Sequence, residues 1–162
     1  HLDANLLTGR CVPYMQFDYG IEGNIYWNVC YYSKQGKVKT SRDIWYDPMT
    51  WLNCAGDGAL VYPGIDYGLK EPIPTLRLKS IEAGSEEYEY LYLIQQKVNE
   101  YNALKGQNLD AINLLQKYFS RLYKDVNPYL DSEEFETVRI ELLSLCEKLN
   151  HNLEEGIELL KA

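Results

Sequence analysis

Helical periodicity dominates the chain after about Pro72 and restricts that part of the protein to packed helices. Apolar residues recur there at three- and four-residue steps in three segments. The first runs from about Thr75 to Leu104, the second ends at Asn127-Pro128, and the third begins at Asp131, which resembles a capping-box residue. Because short connections make successive helices antiparallel neighbours, we expect an antiparallel three-helix bundle over residues 73–162.

The first part of the chain, residues 1–72, alternates Gly, Pro and aromatic residues with short apolar runs. Pro13 to Tyr19 predicts a short helix that starts at Pro and ends before Gly20. Asn24 to Tyr32 is rich in β-branched and aromatic residues, which favours a strand covered on both faces in a parallel sheet. Leu60 to Tyr62 is a second, shorter strand candidate. The long segment from Ser33 to Gly58 is interpreted as a loop.

Charge and composition exclude some classes of partner. The formal net charge of −8 makes a nucleic-acid backbone an unfavourable partner, and no apolar run is long enough to cross a bilayer. The chain has 15 Tyr and 3 Trp, and the tryptophans (Trp27, Trp45 and Trp51) all lie in its first third. Such aromatics suit either the flat apolar faces of sugars or an aromatic core. Because the chain opens with His1 rather than Met, we expect an excised or processed piece.

Most familiar catalytic and cofactor motifs are missing from the sequence. It contains no GxGxxG, P-loop, HExxH or GxSxG motif, and its only histidines are His1 and His151. Four cysteines without CxxC spacing indicate free thiols, with a disulfide as the alternative, rather than a zinc site, so neither metal nor cofactor is predicted. The acidic clusters, including Glu86-Glu87-Glu89, are interpreted as solvated helix faces. Asp57, between two glycines, is either a turn residue or a carboxylate held near a ligand.

Four motifs between about Arg10 and Leu93 resemble, in the same order, those of glycoside hydrolase family 123. They are Tyr19-Gly20-Ile21-Glu22-Gly23-Asn24-Ile25-Tyr26-Trp27, Gly56-Asp57-Gly58-Ala59-Leu60-Val61-Tyr62-Pro63-Gly64, Pro72-Ile73-Pro74-Thr75-Leu76-Arg77-Leu78 and Glu82-Ala83-Gly84-Ser85-Glu86-Glu87-Tyr88-Glu89-Tyr90-Leu91. The resemblance implies a (β/α)₈ barrel that hydrolyses β-linked N-acetylgalactosaminides with retention. It also implies substrate-assisted catalysis by an adjacent Asp-Glu pair. No Asp-Glu dipeptide occurs in this sequence, so we assign it no catalytic residue and expect the chain alone to be inactive.

The same resemblance suggests residues of a pocket wall. It places Trp27 and Asn28 near the C-terminal end of the last barrel strand, where barrel active sites lie. Trp27 is then a sugar-stacking candidate, with a core position between barrel and helix as the alternative. Asp57 is a candidate for binding sugar hydroxyls from the following loop. Structural support is expected from three residues: Arg77, Gly56 and Gly58.

The sequence therefore predicts a mainly α protein with short β segments, formed by the last part of a (β/α)₈ barrel and a helical bundle. Its expected partners are a glycan in the parent enzyme and either the missing barrel region or a second copy. A secreted or cell-surface location is favoured over a cytoplasmic one. Two alternatives stay open: a carbohydrate-binding or accessory module based on the tryptophans, and a structural helical interaction domain built on Thr75 to Ala162.

Overall fold

The computed structural model of the chain describes residues 4–34, 37–38, 41–51 and 54–162, and in that part it is mainly helical with short antiparallel strand pairs. The elements in chain order are α1 Leu6–Asp18, β1 Ser33–Lys34, β2 Lys37–Val38, α2 Ser41–Tyr46, β3 Met49–Trp51, β4 Cys54–Ala55, β5 Val61–Tyr62, a 3₁₀ helix Ile65–Tyr67, β6 Ile73–Pro74, α3 Leu76–Lys105, α4 Ala111–Leu122, β7 Tyr123–Lys124, β8 Asn127–Pro128, α5 Ser132–His151 and α6 Leu153–Lys161. No helix of the described ranges is long and apolar enough to cross a membrane.

Two compact units make up the chain. The first comprises His1–Leu6 with Gly23–Ile81, and the second comprises Leu7–Glu22 with Glu82–Ala162. The predicted domain boundary at residue 72 stays a prediction.

The first unit contains the segment that was expected to be a barrel strand, and that prediction is wrong. From Asn24 to Tyr32 the described backbone forms one isolated antiparallel bridge, Cys30 with Ala59, and no strand. Sheet formation needs a partner strand as well as β-forming side chains, and a parallel partner is missing from the described residues. The barrel fragment is therefore not confirmed.

Strand pairing elsewhere in the first unit is local. β5 pairs antiparallel with β6, which confirms the short strand predicted at Leu60 to Tyr62. The segment from Ser33 to Gly58 is not a plain loop, since its described residues hold α2 and four short strands in the pairs β1–β2 and β3–β4.

The second unit has one apolar core shared by α1, α3, α4, α5 and α6. The predicted helix from Thr75 to Leu104 is confirmed as α3, and Asp131 caps α5 by accepting hydrogen bonds from the N–H groups of Glu133 and Glu134. The topology of a three-helix bundle is not confirmed. Fully buried side chains come from every one of these helices: Cys11, Tyr14, Leu91, Ile94, Leu115, Phe119, Phe135, Leu142, Leu149 and Ile157.

The last predicted helix is in fact two helices. α5 ends at His151, and Asn152 caps α6 by accepting a hydrogen bond from the Glu155 N–H. Gly156 lies so close to Leu149 that a Cβ at residue 156 would be 2.7 Å from the nearest Leu149 atom. The continuous apolar stripe therefore conceals a turn at which the two helices fold onto each other.

The first helix is longer than the sequence predicts. α1 begins at Leu6 rather than at Pro13, which lies inside it. Its end is as expected: Gly20 has a positive φ of 63°, and the N–H groups of Gly20 and Ile21 bond the carbonyls of Phe17 and Gln16. Because Cys11, Tyr14 and Phe17 are buried in the core, tertiary packing extends the helix beyond its sequence signal.

One acidic cluster differs from its predicted solvated state. Glu86 and Glu89 are exposed, but Glu87 is only 3% exposed. Its Oε1 accepts a hydrogen bond from Arg10 Nε at 2.7 Å, and Arg10 Nη1 lies 2.7 Å from Glu136 Oε1. Burial lowers the pKa of Arg10, but its bonds to Glu87 and Glu136 outweigh this and raise that pKa overall. A buried ion pair thus joins α1 to α3.

Candidate functional site

Three of the described side chains in the first unit meet at the tip of the Gly56–Gly58 turn. Asp57 Oδ1 lies 3.0 Å from the Tyr26 hydroxyl and 3.2 Å from Trp27 Nε1, both of which donate to it. The Gly58 N–H in turn donates to the Tyr26 hydroxyl at 3.1 Å. Trp27 and Asp57, which are 30 residues apart in sequence, are therefore directly hydrogen bonded.

The glycines on either side of Asp57 shape this turn. Gly56 and Gly58 have φ values of 74° and 71°, in the left-handed region that glycine adopts without a steric cost. The carbonyl of Asp57 accepts a hydrogen bond from Thr50 Oγ1 at 2.6 Å, and Thr50 is only 2% exposed. The backbone at Asp57 is thus anchored from the buried side, while its carboxylate is left at the surface.

Gly58 also determines where the Trp27 ring lies. A Cβ at residue 58 would be 2.6 Å from Trp27 Cζ2, 2.9 Å from Trp27 Cη2 and 2.9 Å from Tyr31 Cβ. The rings of Trp27 and Tyr31 are 5.0 Å apart between centroids. Trp27 is nevertheless 47% exposed, so part of its ring remains accessible above this glycine.

The start of α3 holds the segment that follows the turn. Arg77 Nη2 donates a hydrogen bond to the carbonyl of Ala59, and Thr75 Oγ1 donates to the carbonyl of Leu60 at 2.8 Å. Ala59 is fully buried. Arg77 therefore contacts the backbone directly after Asp57 and Gly58.

Asn28 is not brought into the same cluster. Its Oδ1 accepts a hydrogen bond from the N–H of Cys30 two residues on, at 2.9 Å. This local bond is a turn contact of the kind Asn often makes, and it occupies the side-chain oxygen. A role for Asn28 in binding a sugar stays a prediction.

Trp45 makes aromatic contacts with two other residues of the first unit. The Trp45 ring centroid is 4.6 Å from that of Tyr62 and 5.0 Å from that of Tyr67, in edge-to-face geometry. Trp51 ends β3, and its side chain lies outside the described residues. Of the two tryptophans whose side chains the structure describes, Trp27 donates its indole N–H to a carboxylate, and Trp45 does not.

Tyr26 is the residue that sequence analysis missed. It was seen as one aromatic residue of a presumed strand, whereas its hydroxyl links the Gly58 backbone to the Asp57 carboxylate. Burial raises the pKa of Tyr26, and the Asp57 contact raises it further against the opposing effect of the Gly58 N–H. The hydroxyl consequently keeps its proton and acts as a donor to Asp57.

The site combines an aromatic ring with a hydrogen-bond acceptor. An exposed indole offers an apolar face, and the carboxylate beside it accepts hydrogen bonds. Among the described residues, no group of three His, Cys, Asp or Glu side chains is arranged to hold a metal ion. A flat apolar surface with one adjacent acceptor matches a small polar ring with hydroxyl groups at its edge.

Comparison with protein families identifies the part of the chain that carries this site. Residues 2–94 match the model described as glycoside hydrolase 123, catalytic domain, which is more than half of the chain. The matched range includes α1, the whole Trp27–Asp57 site and the first half of α3. A search of curated proteins found no match. By this match, the chain belongs to glycoside hydrolase family 123.

Proposed function

We propose that this chain supplies a sugar-binding surface to a retaining glycosidase that acts on β-linked N-acetylhexosaminides. The observation that carries the proposal is the hydrogen bond between Trp27 Nε1 and Asp57 Oδ1, on an indole that is 47% exposed. The family match supports the class of enzyme, and the paired aromatic ring and carboxylate support the class of ligand.

In this proposal the two groups contact different parts of one sugar ring. The apolar C–H face of the ring lies on the exposed part of Trp27. A hydroxyl group at the edge of the ring donates to the Asp57 carboxylate, which only accepts hydrogen bonds when ionised. Gly58 leaves the space for this arrangement, since any side chain at residue 58 would occupy the position of the Trp27 ring.

The reacting acids belong elsewhere in the proposed enzyme. In the family's mechanism the acetamido oxygen of the substrate attacks the anomeric carbon while the glycosidic bond breaks. An Asp orients that acetamido group, and the adjacent Glu protonates the leaving oxygen. This sequence has no Asp-Glu dipeptide, so we expect it to bind the sugar without cleaving it.

Calorimetric titration of the 162-residue chain with methyl N-acetyl-β-galactosaminide tests the binding. We expect saturable binding that is lost in Trp27→Ala and kept in Tyr46→Ala, a matched control because Tyr46 is 81% exposed in the same unit. Equal binding by the wild type and Trp27→Ala would refute the assignment of Trp27. Absence of any binding by the wild type would refute the sugar surface itself.

A partner that covers the exposed apolar residues on either side of Tyr26 and Trp27 is a further part of the proposal. Ile25 is 95% exposed and Val29 is 47% exposed, which is unusual for two apolar residues so close in sequence. Their exposure supports docking to the remainder of a catalytic domain, or to a second copy of the chain. Sedimentation of the chain at increasing concentration distinguishes the two possibilities. Self-association predicts that the apparent mass rises with concentration and rises less in Ile25→Ser, whereas docking to the rest of a catalytic domain predicts a constant mass.

A further inference from the structure

The Tyr26 hydroxyl lies between a backbone donor and a carboxylate acceptor. It accepts the Gly58 N–H at 3.1 Å, and its oxygen is 3.0 Å from Asp57 Oδ1. A phenol has one proton and an ionised carboxylate accepts only, so that proton is directed at Asp57. The Gly58 N–H therefore donates to the Tyr26 hydroxyl, and the Tyr26 hydroxyl donates to Asp57.

Both donors at this site bind the same carboxylate oxygen. Trp27 Nε1 and the Tyr26 hydroxyl each donate to Asp57 Oδ1, at 3.2 Å and 3.0 Å. Among the described side chains and backbone groups, none donates a hydrogen bond to Asp57 Oδ2. Two donors on one oxygen fix the rotation of the carboxyl group and leave its second oxygen to accept from elsewhere.

We infer that Tyr26 is a positioning residue that holds Asp57 ready to accept one sugar hydroxyl. This inference rests on the proposed function, because it explains how the carboxylate that accepts the sugar hydroxyl is held in place. Tyr26 does not contact the sugar in this account. It holds Oδ1, so that Oδ2 is the acceptor for a hydroxyl of a ring lying on Trp27.

A purely structural role for Tyr26 makes a different prediction. If its hydroxyl served only to hold the Gly58 turn, its removal would weaken sugar binding whether or not Asp57 were present. If Tyr26 acts through Asp57, its removal should matter only while Asp57 is there. A double-mutant cycle separates the two, because coupled residues deviate from additivity.

The first experiment measures the dissociation constant of methyl N-acetyl-β-galactosaminide for four chains: wild type, Tyr26→Phe, Asp57→Ala and the double variant. We expect Tyr26→Phe to weaken binding about threefold to tenfold, as for one lost hydrogen bond. In the Asp57→Ala background the same change should have less than about a twofold effect. Tyr46→Phe is the matched control and should bind like the wild type. Equal weakening by Tyr26→Phe in both backgrounds overturns the inference.

A second readout needs no sugar and keeps the two proposals separable. The ¹H–¹⁵N cross-peak of the Trp27 indole, assigned from its absence in Trp27→Phe, reports the hydrogen bond to Asp57. We expect Tyr26→Phe to shift this peak and Tyr46→Phe to leave it in place. A shift without any glycoside binding by the wild type would sink the proposed function but support the positioning by Tyr26. An unmoved peak overturns the positioning regardless of the binding result.

Discussion

Gly84 of α3 lies directly against the backbone of Arg10 in α1. A Cβ at residue 84 would be 2.5 Å from the Arg10 carbonyl oxygen and 3.0 Å from its Cα. The same close approach allows the Arg10 side chain to reach Glu87, one turn further along α3. Two residues of the motif from Glu82 to Leu91, Gly84 and Glu87, thus pack α3 against α1.

Gly84→Ala should destabilise the protein although it improves helix propensity. At an open helical position, replacing Gly by Ala would raise the free energy of unfolding by about 1 kcal/mol. Overpacking against backbone lowers it by about 1–3 kcal/mol. We expect a lower free energy of unfolding in urea. Gly23→Ala is the control, because no atom lies within 4 Å of a Cβ at that residue. Unchanged or increased stability of Gly84→Ala would contradict the packing described.

Glu87→Ala should be among the most destabilising single substitutions in α3. It removes two of the three carboxylate hydrogen bonds of the largely buried Arg10, which keeps Glu136, and a hydrogen bond to a charged group contributes about 1.5–3 kcal/mol. Glu89→Ala, two residues on and exposed, should change the free energy of unfolding by less than about 0.5 kcal/mol. Thermal and urea unfolding of both variants measure the difference, and similar small effects would argue against a buried pair.

Gly58→Ala tests whether the missing side chain at residue 58 determines the position of the Trp27 ring. Both Gly58 and Gly20 have positive φ, so replacement by Ala should cost either site about 1–2 kcal/mol in strain. At Gly20 a Cβ meets no atom within 4 Å, whereas at Gly58 it would overlap the Trp27 ring. We therefore expect Gly58→Ala alone to shift the Trp27 indole resonance. A shift of equal size in Gly20→Ala would mean that the resonance reports general strain.

The cysteines should differ in reactivity toward a thiol reagent. Burial raises the pKa of Cys11 to about 12 and that of Cys146 to about 11, whereas Cys30 is exposed. A raised pKa lowers the thiolate fraction at any given pH, and the thiolate is the reactive form. In native protein at about pH 8 we expect Cys30 to react quickly and Cys11 and Cys146 to react only on unfolding. Peptide mapping after a short pulse of the thiol reagent identifies the labelled residues. Early labelling of Cys11 would contradict its burial in the core.

A chain that starts at Pro72 should not fold on its own. The alternative of an independent helical domain predicts that it would. It lacks α1, which buries Cys11, Tyr14 and Phe17 in the core of the second unit. Truncating one buried aromatic side chain alone costs about 3–5 kcal/mol, a large part of typical domain stability. We expect loss of the cooperative thermal transition, and its partial return when a peptide of residues 4–22 is added. A sharp transition in the truncated chain alone would support the helical-domain alternative.

Local signals in the sequence predicted some of the helix ends correctly. Asp131 before an apolar stripe predicted the start of α5, and Gly20 predicted the end of α1. The break at Asn152 also has a local signal, an Asn cap with Glu155 three residues later, but the strong apolar stripe concealed it.

Features that depend on distant partners could not be predicted. Glu87 is buried because Arg10, 77 residues away in sequence, is there to pair with it. The segment from Asn24 to Tyr32 has the composition of a strand, but composition does not provide a neighbour to pair with. At the candidate site, family resemblance proposed Trp27 and Asp57, which the structure brings together, and no pattern in the sequence pointed to the Tyr26 hydroxyl.

The most direct test of the account combines binding and turnover in one sample. The 162-residue chain is titrated with an aryl N-acetyl-β-galactosaminide by calorimetry, and released phenol is then measured in the same solution. The account predicts saturable heat that disappears in Trp27→Ala, with no phenol released above the blank. Phenol release by the wild type, or equal heat from Trp27→Ala, would contradict the claim that this chain holds the sugar but lacks the acids that cleave it.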